Sequence, residues 1–168
     1  MSKKLEAIIT RAELPKARAT PPLRTSFTDR EVNAYFEIAG PLFLPEGVIN
    51  PQVVIENAGR LRARATVDLD KAVKPKQRSW FDPLAWVSGK VEMSAIGTFS
   101  AKNGSGLFAL ESATLGGVPV PKSLVQEIVG YYSRTPELPQ GFDLDKPFPL
   151  PSKIRSVETQ PGAATIVQ

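Results

Sequence analysis

Between Arg60 and Asp70 apolar and polar positions alternate without a break: Leu61, Ala63, Ala65, Val67 and Leu69 share one face, and Arg60, Arg62, Arg64, Thr66 and Asp68 the other. A repeat of two marks a strand with one apolar and one solvated side. The Val- and Ile-rich run from Val48 to Asn57 precedes it across Asn57-Ala58-Gly59, which predicts a hairpin, with Pro51 marking an edge or a bulge. A second hairpin is predicted from Val87 to Ala101 and Gly106 to Leu115, joined by Lys102-Asn103-Gly104-Ser105. A third, shorter one joins Lys153–Glu158 to Ala163–Val167 around Gln160-Pro161-Gly162.

Helical spacing replaces alternation in two places. Thr28 is a predicted N-cap with Glu31 as its capping-box partner and Phe27 placed to staple onto Val32; Val32, Tyr35, Phe36 and Ala39 then follow at helical spacing until Gly40-Pro41 closes the element. From Lys122 to Tyr132, Leu124, Val125, Ile128 and Val129 form one apolar helical face, with Pro121 where a first-turn proline is tolerated. The strand ending at Leu115 reaches this helix through Gly116-Gly117, Pro119 and Pro121, a corner from sheet to covering helix. Pro15, Pro21 and Pro22 interrupt residues 1–26, which predicts an extended arm. Helix, two hairpins, helix, hairpin is an α+β order: an antiparallel meander sheet of about six strands packed on two helices, in a single domain over 27–168.

The buried side of that sheet is expected to carry Ala63 and Ala65, then Val91, Met93, Ala95, Gly97 and Phe99. Small residues in such a row either admit a closely packed helix or leave an apolar cavity. The pattern is compatible with both.

Composition removes chemistries more than it adds them. At 168 residues, 42% hydrophobic and 23% charged, the chain is long enough for a real core. With neither His nor Cys, it has no thiolate–imidazole zinc site, no cysteine nucleophile, no Ser-His-Asp relay and no disulfide. Asp68-x-Asp70 and Asp143-x-Asp145 are isolated pairs without the spacing of a metal loop, so no catalytic residue, metal or cofactor is expected, and the chain is not expected to be an enzyme. No apolar run is long enough to span a bilayer, and MSKKLEAIIT does not read as a signal peptide.

A net charge of +4 is too modest to predict nucleic-acid binding without a recognition motif. Two local clusters of cations suggest more specific partners. The segment from Lys71 to Trp86 holds both tryptophans, and its Lys76, Arg78, Trp80, Phe81 and Trp86 are candidates for peripheral contact with an anionic membrane. Equally, Trp80 and Trp86 can fold back onto the core. Arg60, Arg62 and Arg64 stand about 6.6 to 7 Å apart along one strand face, facing either an acidic partner or solvent and a cross-strand carboxylate such as Glu56.

The succession FTDREVNAYF, LPEGVINPQVVIENAGRLRARATVDL, GTFSAKNGSGLFALESATLGGVPVP, SLVQEIVGYY and FPLPSKIRSVETQPGAATIV, across residues 27–168, resembles bacterial cell-envelope proteins related to the tubular lipid-binding superfamily. That resemblance implies a curved sheet wrapped on helix and non-enzymatic binding or transfer of a lipid or other apolar small molecule. It implies a periplasmic or envelope location, for which a leader or anchor would have to precede this sequence. The residues expected to line a cavity between sheet and helices are Tyr35, Phe36, Ala63, Ala65, Val67, Met93, Ala95, Phe99, Leu124 and Ile128. The competing expectation is a dry scaffold that meets a protein partner of unknown identity through the Arg60/Arg62/Arg64 face.

Overall fold

In the computed structural model, which describes residues 2–13, 21–44, 47–68, 89–134 and 138–168, the alternating segments pair as antiparallel hairpins in one sheet. The elements are α1 (Ser2–Glu13), β1 (Arg24–Thr28), α2 (Asp29–Phe43), β2 (Val48–Ile55), β3 (Arg60–Asp68), β4 (Lys90–Lys102), β5 (Ser105–Leu115), β6 (Val118–Pro119), α3 (Lys122–Tyr132), β7 (Phe148–Pro149), β8 (Ser156–Gln160) and β9 (Ala163–Val167). The fold is α+β, with a curled, half-barrel antiparallel sheet. Its main path runs β1-β9-β8-β4-β3-β2, and β5 pairs with β4 while taking the short strands β6 and β7 on its other side.

Two irregularities help to bend this sheet. The β4–β5 register slips between Ile96/Ser112 and Gly97/Leu110, leaving Glu111 without a ladder partner. A bulge of this kind bends its strand and increases the local twist. Gly97 permits it: a Cβ there would lie 2.4 Å from the Phe108 ring and 2.7 Å from the Ala109 carbonyl. The second irregularity falls between Ile49 and Gln52, at the position of Pro51. The corner after β5 is a two-residue turn, with Gly116 at φ 58° and Gly117 at φ 80°, so that Leu115 pairs with Val118. Glycine enters that left-handed pair of conformations with the least strain.

The third hairpin joins the sheet beyond the point where β3 stops. β3 covers β4 from Lys90 to Thr98, and Val157 of β8 then pairs with Ala101 on the remaining stretch. β1 extends the sheet from β9 over Arg24–Thr28, where Phe27 is buried. At the meeting of these strands the Gly162 N–H donates to the Ile55 carbonyl at 2.8 Å, and the Gly162 carbonyl accepts from Asp29 N–H at 2.9 Å.

Two local expectations are corrected. Residues 1–26 are not an extended arm throughout, because Ser2–Glu13 is helical and Arg24–Ser26 belongs to β1. Pro15, Pro21 and Pro22 all follow the helix, and proline restricts its own turn and the residue before it, not helix formers far upstream. The helix is tied down where Ile8 is buried: the Gln168 amide donates to the Ile8 carbonyl at 2.9 Å and to the Ser152 carbonyl at 2.6 Å. The other correction concerns Gly40-Pro41, which does not end α2. The helix carries Pro41 inside it and closes with Leu44 N–H donating to the Gly40 carbonyl. In a last turn proline removes only one helical hydrogen bond, and the turn beyond it still forms.

Candidate ligand-binding face

The inner face of β3 presents Leu61, Ala63, Ala65 and Val67, opposite Gly97, Ala95, Met93 and Val91 of β4. Ala63, Ala65, Val67, Met93 and Ala95 therefore lie together, as their spacing predicts, with Val53 of β2 opposite Ala63 on the other side. The β3 row from Leu61 to Val67 is half-buried throughout. Burial is complete at Ile55 of β2, opposite Leu61, and toward β5, where Ala113, Val125 and Leu144 form a core that Met93, Ala95, Phe108, Leu110, Val120, Val129 and Phe142 complete.

Of the other predicted lining residues, Phe99 sits farther along β4, with its ring 6.3 Å from that of Phe148 and nearly parallel to it. Leu124 and Ile128 are half-buried on α3, whose Val125 and Val129 make the core contacts. Tyr35 and Phe36 are half-buried on α2, the helix that flanks β2 at the edge of the sheet. The structure thus gathers one strand-to-strand patch and leaves the helical candidates on either side of it. The predicted membrane-contact residues Lys76, Arg78, Trp80, Phe81 and Trp86 lie outside the described residues.

Alternation and helical spacing did not find Phe142, Leu144 and Phe148, which close the filled end. They fall in an irregular segment, Phe142–Phe148, that carries neither period. The Gln126 amide holds this segment: its nitrogen donates to the Phe142 carbonyl at 2.9 Å and its oxygen accepts from Leu144 N–H at 2.7 Å. A usable signal was present in β5, where inward positions change parity from Phe108 and Leu110 to Ala113 and Leu115, marking the bulge.

The opposite face of the sheet is charged and internally paired. Arg62 meets Glu56 at 3.0 Å, Arg60 reaches Glu56 at 3.7 Å and Glu111 at 3.1 Å, and Arg64 donates to the Gln52 side-chain oxygen at 3.1 Å. These exposed contacts contribute little stability, but they occupy the guanidinium groups locally. Asp143 and Asp145 also face cations, Lys146 at 3.0 Å and Lys122 respectively. The Asp145 backbone N–H, followed by Lys146, holds the Asp143 carboxyl below its ordinary range. Among the described residues no group of three or more carboxylates is placed to hold a metal, and no helix is long and apolar enough to cross a membrane.

The inner row offers only alkyl surface. It has no donor, acceptor or charge with which to orient a polar group, so its chemistry is that of contact with methylene chains. Comparison of the chain with models of protein families, with characterised proteins and with solved structures finds no match.

Proposed function

We propose that the protein binds the apolar chain of a lipid or similar amphiphile along the concave side of its sheet, over Ala63, Ala65 and Val67, as a carrier and not as a catalyst. The observation behind this reading is the unequal filling of one continuous apolar face. Ala113 on β5 is 3% exposed, whereas the whole β3 row remains half-buried between α2 and α3. Alkyl surface left partly wet gains about 25 cal/mol for each square ångström a ligand covers. Alanines at the centre leave room for a chain, where leucines would fill it.

The test has two parts. Solvent extraction of purified protein followed by mass spectrometry should recover an amphiphile, and the protein should take up a fluorescent long-chain fatty acid. Ala65→Trp, which fills the centre of the row, should abolish uptake while preserving the fold by circular dichroism. Absence of both co-extracted lipid and uptake would refute the reading, as would undiminished uptake by Ala65→Trp.

A further inference from the structure

Ile38 and Leu42 of α2 are 83% and 87% exposed, the two most exposed large aliphatic side chains among the described residues. Scattered apolar residues on a protein surface are ordinary. These two are four positions apart, so they stand one above the other on a single helical face, and the exposed Ala34 and Pro41 extend the same stripe. The face carries no part of the core. α2 instead touches the sheet through Asn33, whose side-chain nitrogen donates to the Val53 carbonyl at 2.9 Å and whose oxygen accepts from Val53 N–H at 2.8 Å.

We infer that this stripe is the surface by which the protein enters the interface of a lipid bilayer, Ile38 and Leu42 being the inserting side chains. Area decides against a second copy of the chain. Four such side chains offer on the order of 300 Å², whereas a stable dimer buries about 800 Å² on each partner. Shallow insertion of one helical turn needs no larger patch, and at interfacial depth water still reaches the carbonyls that Pro41 and the end of the helix leave unbonded. Charge then narrows the lipid. The exposed charged residues beside the stripe on α2 are Arg30 and Glu37, one of each sign, so the helix supplies no net attraction for anionic head groups. The surface chosen is a neutral, zwitterionic one, held by apolar burial. This second surface stands whether or not the concave face takes a ligand.

Flotation with phosphatidylcholine vesicles, with and without phosphatidylglycerol and at low and high salt, tests the inference. Binding to phosphatidylcholine alone is expected, with little dependence on salt. Ile38→Asp and Leu42→Asp should each weaken it on the order of tenfold or more. Both positions are solvent-exposed, so the fold should persist, and Ile38→Ser provides a milder check. Fatty-acid uptake should be unchanged in these variants, while Ala65→Trp should float normally, so each reading can fail alone. The inference is overturned if the protein does not float, if it floats only with anionic vesicles, or if the aspartate variants bind as well as the parent. Sedimentation as a dimer that Ile38→Asp converts to monomer would equally overturn it, by naming another copy as the occupant.

Discussion

α2 and α3 begin from similar sequence resources and end in opposite circumstances. Each is a short amphipathic helix, and each uses one side-chain amide to hold backbone that lies outside it: Asn33 on Val53, and Gln126 on Phe142 and Leu144. Yet Val125 on α3 is 4% exposed and Leu42 on α2 is 87% exposed. The difference lies in what covers the helix. α3 rests on β4 and β5 and is sealed by the returning chain at Phe142 and Leu144. α2 rests on the edge strand β2, which is too narrow to cover a helix whose apolar positions, Val32, Tyr35, Phe36 and Ala39 together with Ala34, Ile38 and Leu42, extend around more than one side. Amphipathicity makes a helix dock, but the width of the partner decides how much of it stays dry.

The largest test of that contrast is truncation. Leu144→Ala should cost about 2–5 kcal/mol in denaturant unfolding, whereas Ile38→Ala should stay within about 0.5 kcal/mol. Equal losses would erase the distinction between a filled and an open side. Enlargement probes the same asymmetry on the sheet. Ala113→Leu should destabilise by about 1–3 kcal/mol by overpacking, while Ala65→Leu, on the half-buried row, should be tolerated within about 0.5 kcal/mol. Thermal melts of the pair would show whether the row has the room that ligand binding requires.

The amides sharpen the comparison on a smaller scale. Gln126→Ala leaves the Phe142 carbonyl and Leu144 N–H without their partner inside the core, a loss of about 1–3 kcal/mol. Asn33→Ala acts at a sheet edge that water reaches, so its cost should lie nearer 1 kcal/mol, and hydrogen exchange should quicken at Val53.

The smallest expected effect concerns the start of α2. Lys4 donates to both Glu31 oxygens, at 2.6 and 2.8 Å, and Thr28 N–H donates at 3.0 Å, which together lower the Glu31 carboxyl to about 2. A depressed folded-state value means stability present above the ordinary value of 4.5 and lost as pH falls toward about 2. Glu31→Gln should therefore reduce the fall of melting temperature across that window and leave α3 untouched. A parent and variant that lose stability in parallel would remove Glu31 from the account.

Much of the architecture was legible because it is local. The repeat of two in β3 identifies its inner and outer faces, and Thr28 with Glu31 marks the start of α2 through a reciprocal cap that the structure contains. The inner patch was legible for the same reason: a strand places alternate residues on one side, so Ala63 and Ala65 had to lie together. Leu124 and Ile128 were harder, because helical spacing makes them neighbours of Val125 and Val129 but does not say which line faces the sheet. Phe142, Leu144 and Phe148 have no period to betray them, and the Pro41 turn shows that a breaker near a helix end acts only on the bonds it removes.

What the sequence determined alone was therefore the three hairpins, the helices α2 and α3, the two faces of the strands and the exclusion of His- and Cys-based chemistry, since these follow from backbone periodicity and from the side chains present. Tertiary structure decided which faces were covered. The return of Phe142–Phe148 under Gln126 fills the β5 end of the sheet, and the β3 row and the Ile38–Leu42 turn stay partly or wholly open. That outcome depends on contacts between residues distant in sequence, where burial of one apolar surface requires another of matching width to arrive from elsewhere in the chain.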